Sequence, residues 1–476
     1  MPGLDQRTTR RRTAGPRRRR RPPRRSSRPT VSSAIASVAA LLLSVAILLA
    51  GNGLLGTLLP VRAQLEGFST VAIGALGSGY FLGFAVGCVY GPRLVRRVGH
   101  IRTFTAMTAV AAAIALAHVL LIGSAPWWLM RVATGFCFAA LFVVIESWLN
   151  ERSTNETRGT VLGIYLIISL TVVTLGQLML TLASPTAFTL FAAASMLVSL
   201  AAVPVALSGA PSPGPVQTPR IRVLHIARIS PVGFAACLAV GLANGAFWSL
   251  GPLFAQLRGM DATGVAVFMS ACVIGGAAGQ WPFGRLSDRM DRRQVMLVAC
   301  AGALLTALAI IAVKDGPTPS VFLLGALWGA CTMPIYSLAV AHTNDFAAPE
   351  EMVEVSSSVL LLYGAGAVVG PIVTSAVIDH VGARGLFACT SAVHLVLMGF
   401  VAWRMTRREP PPASEQVPFI DALSAAQTIS VSFEVPAEPA EPSSETEAEH
   451  PELARLHGGE IPSGGDEPKR APRRED

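Results

Sequence analysis

This chain repeats itself, and that constrains its fold more than any other feature. Residues 52–67 read NGLLGTLLPVRAQLEG and residues 244–259 read NGAFWSLGPLFAQLRG. The offset is 192 residues without a gap, and eight of sixteen positions are identical. Asn52 pairs with Asn244, Gly53 with Gly245, Pro60 with Pro252, Gln64 with Gln256 and Gly67 with Gly259. The same offset pairs Ser78 with Ser270, Gly83 with Gly275, Gly87 with Gly279, Arg93 with Arg285 and Arg97 with Arg289. Shared hydrophobicity cannot produce matched Asn, Pro, Gln and Arg. The two halves are therefore expected to be copies of one structural unit.

That unit is made of apolar runs. Hydrophobic residues make up 52% of the chain and charged residues 14%, against about 25% charged in a soluble domain. A helix that crosses a bilayer needs roughly 20 mostly apolar residues. Runs of that kind are predicted near 34–60, 70–91, 103–123, 126–149, 159–183 and 186–208. Six more follow near 231–257, 262–283, 293–313, 318–342, 354–379 and 384–405. The chain then reads as an all-α membrane protein of twelve spans. Residues 1–30 form an Arg/Pro-rich tail, 31–208 a first six-helix bundle and 209–230 a linker. Residues 231–406 form a second bundle and 407–476 a Pro/Glu-rich tail, both tails being expected to be disordered. An offset that spans an even number of helices makes the two bundles run parallel, related by an axis along the membrane normal.

The net charge of +9 is no nucleic-acid signal. Twelve arginines sit in residues 1–28, and most others lie in short loops. One side of the membrane would carry Arg93, Arg96, Arg97, Arg102, Arg152, Arg158, Arg220, Arg222, Arg228, Arg285, Arg289, Arg292 and Arg293. The other would carry only Arg62, Arg258, Lys314 and Arg384. The positive-inside rule places the first side, and both termini, in the cytoplasm. The seven cysteines all fall within apolar runs with no CxxC or metal-ligand spacing, which predicts packing residues and no metal or cofactor. No nucleophile–base pair or phosphate-cradling loop points to an enzyme.

The loop after the eighth run reads GRLSDRMDRR, Gly284 to Arg293. It resembles the signature loop G-x-L-A-D-R-x-G-R-R of the major facilitator superfamily, with Asp291 in place of the second Gly. The matching first-half loop, PRLVRRVGHIR from Pro92 to Arg102, has Arg96 where the aspartate would stand. ESWLNERS with RGT, QWPFGRLSDRMDRR, YSLAVAHTND and LLLYGAG together resemble the YcaD-like bacterial branch over roughly 34–405. The resemblance implies a monomeric carrier of the cell membrane that works by alternating access. It also implies that Gly284, Arg285, Asp288 and Arg289 brace the cytoplasmic helix ends in one state, as would Arg97. Glu151 and Arg158 resemble an acid-to-arginine relay, and Asn150–Glu151 aligns with Asn344–Asp345 after a two-residue shift, so Asp345 joins the gate set.

Within the runs, ionisable and amide side chains are functional candidates because a bilayer penalises them. Glu146 is read either as a gate partner of Arg97 or Arg158 or as a proton-exchanging group. Arg131, in an Arg-x-x-x-Gly pattern resembling that of proton-coupled facilitators, either snorkels to the interface or faces water. Asn52 and Asn244 are expected near the cavity, with Gln177, Trp248, Gln280, Tyr336, His342 and Tyr363 as weaker candidates. So few charges suit a neutral or weakly cationic organic solute better than a phosphate. The expected function is proton-coupled transport, export ranking above metabolite or sugar uptake, and a non-transporting receptor or scaffold ranking last.

Overall fold

The computed structural model describes residues 31–153, 157–208, 214, 221–314, 316–348, 351–408 and 419, with side chains at all of these except 31–37, 158, 352 and 353. The described residues contain twelve helices long and apolar enough to cross a membrane. They are α1 (Val38–Leu65), α2 (Thr70–Val98), α3 (His100–Leu120), α4 (Ser124–Arg152), α5 (Gly159–Leu182) and α6 (Phe188–Ala206). The second set is α7 (Pro231–Leu257), α8 (Ala262–Ser287), α9 (Arg292–Ala312), α10 (Pro319–Asn344), α11 (Glu354–Val381) and α12 (Gly385–Met405). Helices satisfy every backbone group within their own segment, which a hydrocarbon environment demands. Large apolar side chains face outward along them, among them Leu129, Ile167, Leu305 and Val396, each more than half exposed.

The termini are set by local chemistry. Ser69 caps α2 by accepting from the Ala72 amide, and Asp261 caps α8 by accepting from the Gly264 amide. Gly67 and Gly259, matched in the repeat, end α1 and α7 with the same φ of 78°, a left-handed value that glycine adopts without steric cost. Asp291, the departure from the family's second Gly, caps α9 by accepting from the Arg293 amide at 2.9 Å. Burial pushes the Asp291 carboxyl up, but the hydrogen bonds and charge of Arg293 outweigh it and leave it below its ordinary value.

Helix crossings show the repeat in three dimensions. In the first half, a Cβ on Gly83 would run into the Val132 carbonyl, and one on Gly176 into the Ala50 carbonyl. In the second half, Gly275 meets the Ala326 carbonyl and Gly370 the Leu242 carbonyl in the same way. Gly53 lies against Val173, and Gly245 against Ala367. From the residue pairs, α1 and α2 map onto α7 and α8 with an offset of 192 (275 − 83; 242 − 50). Likewise α4 and α5 map onto α10 and α11 with 194 (326 − 132; 370 − 176; 367 − 173). This is the two-residue shift already visible at Asn150–Glu151 and Asn344–Asp345. It also makes Gly370, of the span-eleven Gly-Pro pair, the counterpart of Gly176, with Gln177 standing where the second half has Pro371.

Candidate central cavity and its two charged ends

The two bundles meet closely at the end away from residues 92–102 and 284–293. There a Cβ on Gly74 would meet the Ser375 side chain, and one on Gly77 the Ser249 side chain. The Gln256 amide donates to the Val61 carbonyl at 3.4 Å across the same seam. Away from that seam lies a cavity of about 530 Å³ between the bundles. Its lining runs down to Pro92, Ile221 and Ser357, so it opens toward the loop end.

All nine substrate and coupling candidates line this cavity: Asn52, Arg131, Glu146, Gln177, Asn244, Trp248, Gln280, Tyr336 and Tyr363. His342 does not. It is buried at the end of α10 with its ring 5.1 Å from Phe346, among the charges of Arg293 and Asp291. The amide of Asn52 faces the Tyr80 hydroxyl, and that of Asn244 faces the Tyr363 hydroxyl. The rings of Tyr336 and Tyr363 lie 4.9 Å apart.

Arg131 does not snorkel. Its guanidinium lies 4.3 Å from the centre of the Tyr80 ring, facing the cavity. The Arg-x-x-x-Gly spacing explains the contact. Residues four apart share a helix face, and at Gly135 the α2 backbone of Tyr80 approaches so closely that no side chain would fit. The Tyr80 ring then reaches one turn along α4 to Arg131. Tyr80 was missed in the sequence, where a tyrosine in an apolar run reads as packing or belt. Glu146 is fully buried on the same helix. Its charge is felt by Cys88, Tyr165 and Tyr336. Arg131 and Glu146 are the charged residues on the lining among the described residues.

The expected gate residues separate. Arg292, counted in the sequence only as a loop charge, pairs with Asp345 at 2.6 Å with both side chains 1% exposed. Arg292 also donates to the Ser287 hydroxyl at 3.0 Å. This pair ties α9 to the end of α10 inside the second bundle, so Asp345 takes part in a brace within that bundle. In the first half His100 stands at the position of Arg292 (292 − 192), with its Nε2 2.8 Å from the Ser147 hydroxyl. Glu151 accepts from the Gly214 amide of the linker at 2.7 Å. Arg97 and Arg289 are exposed, Arg285 stacks on Trp281 at 4.7 Å, and the Arg158 side chain lies outside the described residues. Nor is Arg97 near enough to any acid to form an ion pair among the described residues.

Asp288 was expected, with Arg285 and Arg289, to brace the cytoplasmic helix ends. Its Oδ1 instead accepts the backbone amide of Phe419 at 2.8 Å, and the buried Phe419 ring covers Gly284 so that no Cβ would fit there. Arg408 donates to the Ile229 carbonyl at 2.9 Å and lies 4.1 Å from the Phe346 ring centre. The 407–476 tail thus begins with ordered contacts, and most of it lies outside the described residues. Losing a hydrogen bond to a charged acceptor costs about 1.5–3 kcal/mol. Asp288→Ala should therefore speed hydrogen exchange at the Phe419 amide by about tenfold or more, read by exchange mass spectrometry on the covering peptide. Unchanged exchange would show that Asp288 does not hold the tail.

A family model described as Major Facilitator Superfamily matches residues 41–358 and 269–440. The chain belongs to the Major Facilitator Superfamily. Its relatives in that family include the uncharacterized MFS-type transporter YcaD of Escherichia fergusonii, 27% identical over 347 residues, 72% of this chain and 90% of that protein. An uncharacterized MFS-type transporter of Enterobacter sp. is 26% identical over 363 residues, 76% of this chain and 94% of that one. These place the superfamily member in the YcaD-like branch, as its motifs imply. Among solved structures, the nucleoside transporter NupG superposes with a TM-score of 0.65 at 14% identity, covering 78% of this chain and all of that one. An inward-facing, occupied bacterial homolog of the human lysosomal transporter Spinster gives a TM-score of 0.65 at 13% identity, covering 82% and 99%. At such identities they share the fold of this facilitator and nothing finer. The protein is thus a multi-pass membrane transporter for a small-molecule solute.

Proposed function

We propose that the protein is a proton-coupled secondary transporter that exports a small organic solute by alternating access. The observation that carries this is the cavity between the bundles, closed over at one seam and reaching toward the opposite end, with the buried acid Glu146 on its wall. The basic loop end faces the cytoplasm on the positive-inside rule, so this state is open to the cytoplasm with both termini on that side. Glu146 is the proton-carrying group: burial favours the neutral form of a carboxyl and a nearby cation the charged form, so a change of surroundings shifts its proton affinity. Rocking of the bundles about the central site supplies that change.

The test uses proteoliposomes and a panel of small amphipathic solutes. Exchange of one proton per neutral solute under a one-unit pH gradient concentrates the solute about tenfold, since each 1.4 kcal/mol is a factor of ten. Wild type should reach that level, whereas Glu146→Gln should only equilibrate the solute. Tenfold accumulation by Glu146→Gln would remove Glu146 from coupling. No flux of any panel member by folded protein would remove the carrier reading.

A further inference from the structure

The two charges found on the cavity wall differ in their surroundings. Glu146 has an interaction partner in the fold. Arg131 has the Tyr80 ring beneath it and, among the described residues, no carboxylate within ion-pair distance. Glu146 cannot serve, because it lies fifteen residues along the same helix, roughly 22 Å at 1.5 Å per residue. Arg131 itself stands seven residues into α4, roughly 10 Å from its start. A cation at that depth is costly unless it reaches the interface, pairs or faces water. It has taken the third course, turned into the cavity.

The geometry points to a monoanionic amphipathic solute, held by its carboxylate at Arg131, as the substrate class of this cavity, an assignment that rests on the carrier reading above. The Tyr80 face covers one flat side of the guanidinium. Its N–H edge is the part that matches a carboxylate in two parallel hydrogen bonds. The Asn52 amide beside the Tyr80 hydroxyl supplies a further polar group at that end. Trp248, Tyr336, Tyr363 and Phe84 line the remaining wall and suit an apolar or aromatic body. A volume of about 530 Å³ fits the range of small-molecule sites, roughly 300–1,000 Å³. One cation balances one negative charge, so a dianionic phosphate would remain half-compensated. This assignment departs from the neutral or weakly cationic solute expected from the sequence, which could not show that Arg131 turns into the cavity.

The test compares three probes with one body and three heads: 4-phenylbutyrate, 4-phenylbutyramide and 4-phenylbutylamine. Each is titrated at pH 7.5 onto full-length purified protein while the melting temperature is followed, since a ligand that binds the folded state raises it by mass action. The carboxylate should give a saturable rise at a concentration about tenfold or more below that needed for the amide, with the amine inert, because the charge-assisted pair is lost. Arg131→Gln should erase the preference for the acid while leaving the weak response to the amide. Arg131→Lys, which keeps the charge but not the fork, should fall between them. Equal or tighter binding of the amine or amide by wild type overturns the assignment without any variant having to fold. So does a panel in which no probe shifts the melting temperature, or an unchanged acid response in Arg131→Gln. Proton-driven flux of an amine with no acid binding would sink this assignment and leave the carrier standing. Acid binding at Arg131 with no flux would do the reverse.

Discussion

Asp345→Ala should lower stability by about 3–5 kcal/mol, because it removes the carboxylate paired with the buried Arg292 guanidinium. Both side chains are 1% exposed, so water cannot replace the lost partner. The Ser287 hydroxyl, which also accepts from Arg292 at 3.0 Å, is neutral and offsets only part of the loss. The measurement is the thermal midpoint of purified protein in detergent, with the fraction of folded protein after extraction as a check. A second variant separates the pair's own contribution from the cost of an orphaned charge. Arg292→Met combined with Asp345→Leu removes both charges, and a buried pair replaced by apolar side chains is often neutral or stabilising. The double variant should therefore melt well above the single one. If the single variant melts like wild type, the pair is not the brace between α9 and α10.

The same experiment bears on where gating resides. Arg292 and Asp345 both belong to the second bundle, which moves as a unit in alternating access. Breaking their bond should then reduce the stability of that bundle. In the first half the corresponding residue is His100, whose Nε2 lies 2.8 Å from the Ser147 hydroxyl. Asp288, expected in the gate set, accepts the Phe419 amide in this structure.

What could be read beforehand follows from which forces are local. Span positions rest on runs of apolar residues, and a run is visible in the sequence. The parallel repeat was legible because Asn52, Pro60, Gln64 and Arg93 recur at one offset. The nine cavity residues could be picked out because a polar side chain inside an apolar run needs a partner or water, and in this structure all nine line the cavity. Pairings across distance were not legible. Phe419 meets Asp288 over 131 residues of chain, and the only hint is the apolar stretch Val417-Pro418-Phe419-Ile420 in a polar tail. Tyr80 under Arg131 could have been found only through Gly135, whose missing side chain admits the α2 backbone.

The scaffold keeps the repeat while the chemistry departs from it. With the 194-residue offset, Arg131 corresponds to Gly325 and Glu146 to Val340. Both wall charges therefore belong to the first bundle. The second supplies Trp248, Tyr336 and Tyr363, whose counterparts are Gly56, Phe142 and Ser169. A duplicated frame can specialise this way because packing needs only small residues at the crossings. The two cavity walls remain free to diverge.

That division predicts the second large effect. Gly83→Ala and Gly275→Ala should each destabilise by about 1–3 kcal/mol, the usual range for overpacking, because the added Cβ would collide with a backbone carbonyl that cannot rotate away. The colliding partners, Val132 and Ala326, are themselves repeat counterparts, so the two losses should agree in size. Gly163 provides the control. It lies within α5 with nothing within 4 Å of its would-be Cβ, and glycine in a helix interior is roughly 0.5–1 kcal/mol less favourable than alanine. Gly163→Ala should therefore raise the melting temperature while the crossing variants lower it. A common sign for all three would show that helix propensity decides. A large loss at Gly83 with none at Gly275 would show that the two crossings, alike in register, are unlike in how tightly their helices are held.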